Sequence, residues 1–545
     1  MPISNQATSE SEKGTMTDQD GDPRVLEVNE TGHVQELERN FSLFSICAVG
    51  IVTGNSWAAL GGSIVVAIYN GGPPGVLYEF IAVSIFYWLV AASLAELASS
   101  MPSSAGVYHW ASITPGPKYG RICGWFAGWW NTFAWICATA TMASISSQIA
   151  VTIYGLYHPA YTPERWHIFI GYLIVTWSCC AIILFANRAL PMVNNIGLCF
   201  ILAGVFITII VCAVMPHITG SGYATSSFVW SEWSNQTGYT SDGFVFLAGM
   251  LNGAYSVGTP DCVSHLAEEI PQPKRNVPLA IAAQMVIGFV TAFLYMIAIF
   301  YAISNIDDVL AAPYFPLATI YAQATSSTAG TMGLLFIIFV PILCCCIGTF
   351  TTAGRSLWAI SRDGAVPFSG TLGVISPRFK NPFNATLFCG CFATVLGAIY
   401  VGSSTAFNAF VGSFVVLSTL SYLASILPFI FTGRFSRSLQ APGPYINSMR
   451  PGPYQMGHKL GYAVNTISCL YIIVFVVIYC FPYLMPVTAV NMNYACLITG
   501  FVSIFAALWW FVKGGNYVGP TAMVHEGEVH SSGLVGSTEE SASKE

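Results

Sequence analysis

The sequence predicts an all-α membrane protein of twelve transmembrane helices, and three observations carry that prediction. Of 545 residues, 54% are hydrophobic and 8% charged, where a soluble domain has about 25% charged residues. One aqueous domain cannot bury so much apolar surface, so the chain spans a bilayer many times. Of its 19 Lys and Arg, 18 fall on one side of a twelve-span map, and only Arg165 falls on the other. Two apolar segments, built alike, are interrupted by glycine and polar residues. The first is Cys47–Trp57, with Gly50 and Gly54 four apart; the second is Phe246–Gly258, with Gly249 and Gly253 four apart. Irregular backbone at membrane depth is tolerated where it lines a cavity, and paired broken helices point to the substrate site of a secondary transporter. Close helix packing by small residues is the plainer alternative.

Taken in order, residues 1–40 hold nine Asp/Glu against three Lys/Arg, with scattered Ser and Thr, and read as a disordered tail. They contain no apolar stretch, so no cleavable signal peptide is expected. Apolar runs then place spans near 44–68, 75–98, 121–151, 167–186, 194–215, 243–264, 278–303, 331–360, 385–402, 406–430, 462–482 and 490–512. The third and eighth are long enough to extend beyond the membrane. Residues 514–545 read as a second disordered tail. The positive-inside rule puts both termini in the cytoplasm and the 216–242 loop outside. The net charge of −6 comes mainly from the tails and implies no nucleic acid. Tail lysines Lys13 and Lys544, beside many serines, are available to the ubiquitin machinery.

The sixteen cysteines lie almost wholly within spans, as in the run Cys344-Cys345-Cys346. No disulfide framework, metal site or cofactor is expected from them. Asn235-Gln-Thr237 is a candidate glycosylation acceptor on the outside. No nucleophile–base pair or metal cluster within the spans points to an enzyme, and no filter motif repeats as a channel would require.

Three carboxylates fall within spans: Glu79, Glu96 and Asp261. Glu79 and Glu96 lie near opposite ends of span two, where water or headgroups are expected to reach them. Asp261 is the deepest, three residues past Gly258. A buried carboxylate marks a substrate, ion or proton path, although Thr259-Pro-Asp261 also fits the start of a renewed half-helix, where an acid caps the first turn. Both readings stay open.

Leu266-Ala-Glu-Glu-Ile-Pro-Gln-Pro-Lys-Arg-Asn-Val-Pro-Leu-Ala-Ile281 resembles the signature after the sixth span of amino acid–polyamine–organocation permeases. Ala95-Glu-Leu-Ala-Ser-Ser-Met-Pro-Ser-Ser-Ala-Gly-Val-Tyr-His-Trp110 resembles that superfamily's stretch after span two. The likeness extends over about 40–515. It implies the leucine-transporter-like fold, a five-plus-five inverted repeat (about 44–215 and 243–430) with broken helices 1 and 6. Two accessory C-terminal helices (462–512) follow.

Within the superfamily the chain resembles the fungal branch of choline, 4-aminobutyrate and amino-acid permeases. Thr53-Gly-Asn-Ser-Trp57 and Asn70-Gly-Gly-Pro-Pro74 are most like choline permeases. Amino-acid members usually carry a Gly-Ser-Gly type run in span one, whose backbone amides bind the substrate carboxylate. Here Asn55 and Ser56 occupy its last two positions, and a side chain restricts close backbone approach. Choline, a quaternary ammonium, is recognised by aromatic faces and a nearby anion. The candidate substrate residues are therefore Thr53, Gly54, Asn55, Ser56, Trp57, Tyr255, Ser256, Gly258 and Trp129, with Trp130 and Trp135 as further walls. Asn55 or Ser56 would bond the choline hydroxyl. The resemblance implies import at the plasma membrane by proton symport, with Asp261 or Glu79 as carriers. A sodium site using Thr349, Thr351 or Thr352 of span eight is the lesser alternative, since those hydroxyls also suit bonds to their own helix. A 4-aminobutyrate or amino-acid permease is the alternative substrate reading, and a transport-inactive nutrient receptor the alternative of another class.

Overall fold

The structure, a computed structural model, describes residues 13–17, 23–27, 41–64, 68–312, 315–403, 405–435, 451–489, 491–515, 517, 519 and 520. Ten stretches of helix among them are long and apolar enough to cross a membrane. In order they are the first span, Leu43–Gly62, the second, Gly72–Ser100, the third, Gly120–Tyr157, the fourth, Arg165–Phe185, and the fifth, Asn187–Thr219. After a sixth come the seventh, Pro273–Tyr301, the eighth, Thr328–Arg362, the tenth, Phe407–Phe431, the eleventh, His458–Ile478, and the twelfth, Ala495–Lys513. The other two spans are shorter as helices. The sixth is the half-helix Asp242–Val257 followed by a short 3-10 helix, Ser264–Glu269. The ninth is Phe383–Gly402. The third and eighth helices, 38 and 35 residues long, exceed what a bilayer core of about 30 Å requires at 1.5 Å per residue.

Local chemistry starts and stops these helices. Ser42 caps the first by accepting from the Ser45 N–H at 3.2 Å, and Ser327 caps the eighth from Gly330 at 3.3 Å. The second and seventh open with proline in the first turn, where a missing N–H costs nothing. Lipid-facing stripes such as Phe200, Phe206 and Ile210 on the fifth span, or Leu497, Phe501 and Leu508 on the twelfth, are exposed. The first and third spans are the most buried, and the second, eighth and tenth are mostly buried as well.

The glycine pairs do not themselves break the helices. Gly249 and Gly253 lie inside the Asp242–Val257 half-helix, against Glu79, Phe80 and Val83 of the second span. A Cβ on Gly253 would come within 2.6 Å of Val83. Close packing by small residues, the plainer alternative, describes this pair. The interruptions follow each pair, at Asn55 and at 258–263.

Residues 1–40, expected to be disordered, include Lys13–Thr17 paired antiparallel with Pro23–Glu27; the remainder of that stretch and Lys544 lie outside the described residues. In the C-terminal stretch Tyr517 is buried. Its ring meets Trp125 at 4.9 Å, and Arg121 donates to the Gly514 and Tyr517 carbonyls. Aromatic packing thus holds part of a segment whose composition suggests no structure. Outside the spans, Asn70–Gly71 pairs with Ser234–Asn235, and the Asn235 amide nitrogen donates to the Tyr239 carbonyl at 2.9 Å and to Asp242 at 3.0 Å.

Candidate functional site

The first break is one residue wide. Asn55 takes φ 33°, ψ 49°, a left-handed conformation that asparagine tolerates better than most residues with a side chain. Its N–H still donates to the Ile51 carbonyl at 2.8 Å, and its own carbonyl accepts from Ala58 and Ala59. Both polar atoms of its side-chain amide are buried without a hydrogen bond. The second break is longer. After Val257 the chain leaves the helix and does not resume regular winding until Ser264. Gly258 has an ordinary φ of −76°, so space requires the glycine. A Cβ there would lie 2.5 Å from the Ala254 carbonyl oxygen and 3.2 Å from the Phe414 ring.

Gln284 of the seventh span is bonded to the sixth break and packs against the first. Its Nε2 donates to the Thr259 carbonyl at 3.0 Å and to its hydroxyl at 2.8 Å. Its Oε1 accepts from the Cys262 thiol at 3.4 Å. The same amide crowds Gly54, where a Cβ would sit 2.8 Å from Nε2. Gly54 is therefore small because a buried amide passes beside it.

Asp261 is fully buried and receives four donors. Oδ2 accepts from Asn131 at 2.8 Å, Trp135 at 3.1 Å and His265 at 3.3 Å, and Oδ1 accepts from the Tyr422 hydroxyl at 2.6 Å. The Tyr422 hydroxyl is also 3.2 Å from the Gly258 carbonyl. Asp261 thereby ties the sixth break to the third and tenth spans. The partners of its carboxylate are side chains rather than the backbone N–H groups a helix cap would use.

Aromatic rings enclose this carboxylate and the bare Gly258. Phe414 meets Tyr255 edge-on at 5.6 Å and Trp135 at 5.7 Å. The Tyr87 hydroxyl lies 3.5 Å from the position of a Gly258 Cβ, and Tyr422 closes the fourth side. The hydroxyls of Tyr87 and Ser256 are buried with no hydrogen bond. Buried polar groups left unpaired cost about 1–3 kcal/mol each, so a partner at this site stabilises it.

The other expected residues are dispersed. Trp57 is buried but stacks edge-on against Tyr295 of the seventh span at 5.1 Å, with Gly204 of the fifth span behind it. Ser56 faces Gly288 of the seventh span, and Thr53 packs on Gly348 of the eighth. The Thr53 carbonyl accepts from Cys345 at 3.1 Å. Trp129 packs with Trp125, Phe133 and the twelfth-span Phe505, and Trp130 donates to Ser503 of that same span. Both brace an accessory helix, while Trp135 reaches the enclosure. Thr349 and Thr352 donate to the Cys346 and Gly348 carbonyls of their own helix, and Thr351 is buried beside them.

Glu79 and Glu96, expected within reach of water, are instead 1% and 0% exposed. Glu96 is buried by pairing. Arg434, after the tenth span, donates to both its oxygens at 2.8 and 2.7 Å, and the Met456 N–H donates at 2.9 Å. Glu79 is covered by the half-helix at Gly249. At the same end as Glu96, Arg355 donates to Glu269 at 2.6 Å, and Arg362 approaches Glu268 at 3.8 Å.

Sequence reasoning missed Gln284, Asn131, Tyr87, Phe414 and Tyr422. Asn131 and Trp135 are four apart and share a helix face, so a polar residue one turn from a tryptophan was the available signal. Tyr422 and Phe414 carry no local mark.

Residues 41–502 match the model of the amino acid permease family. The choline transporter of Saccharomyces cerevisiae is 31% identical over 485 residues, covering 88% of this chain and 82% of that protein. The 7-keto 8-aminopelargonic acid transporter of the same yeast is 26% identical over 85% of this chain and 90% of its own. An Arabidopsis thaliana amino-acid permease is also 26% identical, covering 92% and 97%. The crystal structure of the Eremococcus coleocola manganese transporter superposes with a TM-score of 0.52 at 12% identity, covering 87% of this chain and 95% of that one, a likeness of fold. Broken first and sixth helices, two helices after the tenth span and a family match across the membrane region agree: the chain belongs to the amino acid permease family of the amino acid–polyamine–organocation superfamily, with the leucine-transporter-like fold.

Proposed function

We propose that this permease is a secondary active transporter that imports choline or a related small amine by proton symport. The observation that carries the reading is the enclosure of Tyr87, Trp135, Tyr255, Phe414 and Tyr422 around the Asp261 carboxylate at the sixth-span break. A quaternary ammonium has no N–H to donate, so it is held by ring faces and by a counter-charge. Asp261, kept in place by four donors, supplies the charge, and the unpaired Asn55 amide offers a partner for a hydroxyl. The identity with the yeast choline transporter supports the same substrate class. In this reading the protein sits in the plasma membrane with both termini cytoplasmic, the 1–40 and 514–545 tails carry ubiquitin regulation through Lys13 and Lys544, and lipid covers the exposed stripes.

Expression in yeast lacking choline uptake is expected to restore saturable uptake of labelled choline that collapses when the proton gradient is dissipated. Restoration of amino-acid or 4-aminobutyrate uptake without choline would overturn the substrate assignment. Binding without uptake or counterflow would make the protein a receptor.

A second expectation separates the two aromatics first considered. Tyr255→Ala removes a ring of the enclosure and should weaken apparent choline affinity by roughly 0.5–2 kcal/mol. Trp57→Ala empties a packed site between spans and should cost folding stability of about 3–5 kcal/mol. Thermal melting and choline competition on the same purified variants distinguish the effects. Equal loss of affinity in both at unchanged stability would place Trp57 in the binding site.

A further inference from the structure

We propose that Glu79 is the proton-binding residue of the transport cycle, an assignment that rests on the proton-symport reading above and gives it an atom. Among the described residues, the other buried carboxylates at membrane depth or at its inner edge are provided for. Asp261 has four donors, Glu96 has Arg434, Glu269 has Arg355, and Glu268 lies by Arg362. Glu79 has none of these. It is 1% exposed, and neither carboxyl oxygen makes a hydrogen bond. An ionised carboxylate so placed costs several kcal/mol, whereas the neutral acid does not. The arrangement therefore suits a carboxyl that carries its proton.

What covers it is the moving part of the site. The carboxyl group lies against Gly249 so closely that a Cβ there would be 2.2–2.4 Å from its three atoms. Gly249 belongs to the half-helix that ends at Gly258, nine residues and roughly 13 Å further along by helical rise. A cavity of about 20 Å³, room for one water, is lined by Val245, Ala248 and Leu251 of the same half-helix, with Asn70, Thr237 and Tyr479. The proton leaves only when the half-helix separates from the second span and admits water to solvate the carboxylate. Proton occupancy is thus tied to the position of the segment that carries Tyr255 and Gly258.

Other titratable groups do not compete for this role. Tyr479, just past the eleventh span, is bonded to Tyr471 at 3.1 Å. The half-helix carries Asp242, bonded to Asn235 at its far end, and Tyr255, which packs on Phe414. The seventh span presents Phe289, stacked on Phe80, and its Tyr295 is bonded to Tyr321. The tenth-span Tyr422 is engaged with Asp261.

The test uses the full-length protein in liposomes, with labelled choline outside and a pH-sensitive dye inside. Wild type is expected to accumulate choline down an inward proton gradient and to acidify the lumen as it does so. Glu79→Gln should still exchange choline in counterflow while losing more than tenfold of both gradient-driven accumulation and choline-dependent acidification. Glu79→Asp, which keeps a carboxyl and guards against a folding defect, should retain acidification with a displaced pH profile. Wild-type uptake without acidification overturns the symport reading and this assignment with it. Wild-type coupling that persists in Glu79→Gln, or a pH profile unmoved in Glu79→Asp, overturns the assignment alone.

Discussion

Asp261→Asn should lower apparent choline affinity by roughly 100-fold or more while leaving the protein folded and at the cell surface. The substitution is nearly isosteric, and the hydrogen-bond geometry explains why it is tolerated. Oδ2 accepts from Asn131, Trp135 and His265, so the amide oxygen must take that position. The amide nitrogen then faces the Tyr422 hydroxyl, 2.6 Å from Oδ1, and a hydroxyl can turn to accept as readily as it donates. What disappears is the charge. Two unit charges about 5–6 Å apart at an effective dielectric near 20 attract by about 3 kcal/mol, and about 1.4 kcal/mol is a factor of ten in affinity. A neutral carbon isostere of choline supplies the control, because its weaker binding has no charge to lose and should be the same in both proteins. Competition assays with the two ligands on wild type and Asp261→Asn read the difference directly. Equal loss for both ligands would mean that the variant has deformed the enclosure. No loss for either would remove Asp261 from the site.

The parts of this molecule that were readable in the sequence are those set by local composition and period. Apolar runs located the ten helices long and apolar enough to cross a membrane, because lipid demands a continuous apolar helix surface. Glycine and polar residues marked where the first and sixth spans are irregular to within a few residues. The wrong detail was the cause, since Gly249 and Gly253 are contact surfaces for Glu79, Phe80 and Val83, while the breaks themselves belong to Asn55 and 258–263. Asp261 stood out as the deepest acid, and it is the hub of the enclosure. Its partners were not readable, because Asn131, Tyr422 and Gln284 lie on three other spans and converge only through tertiary packing. Trp57 and Trp129, expected at the substrate site, pack against Tyr295 and Phe505. Proximity to a break, or to other tryptophans, says nothing about which way a ring points around a helix. Glu96 and Glu79 were expected at wet ends of a span for the same reason: depth along one helix does not reveal which neighbour covers it.

Arg355→Ala should abolish transport and loosen the end of the protein where Glu96, Glu268 and Glu269 are paired. Arg355, on the eighth span, donates through Nε to Glu269 at 2.6 Å and reaches Asn187 at 3.5 Å. The Glu269 carbonyl accepts from the Phe41 N–H at 3.3 Å. One guanidinium thus joins the end of the broken sixth span, the approach to the first, and the start of the fifth. Both members of the pair are buried, and deleting one partner of a buried ion pair costs about 3–5 kcal/mol because the other charge stays behind. In this fold the broken helices rock against the rest during alternating access, so that cost falls on the state in which this end is closed. Cys262, fully buried in the sixth break, reports closure. Peptide mapping after maleimide treatment should find it protected in wild type and labelled in Arg355→Ala. Arg355→Lys keeps the charge but not the planar fork, and should protect Cys262 partially. Replacing both partners, Glu269→Gln with Arg355→Met, removes the stranded charge and should restore stability and protection together. If Arg355→Ala transports normally with Cys262 still protected, the pair does not hold the gate, and closure is borne by Glu96 and Arg434 instead.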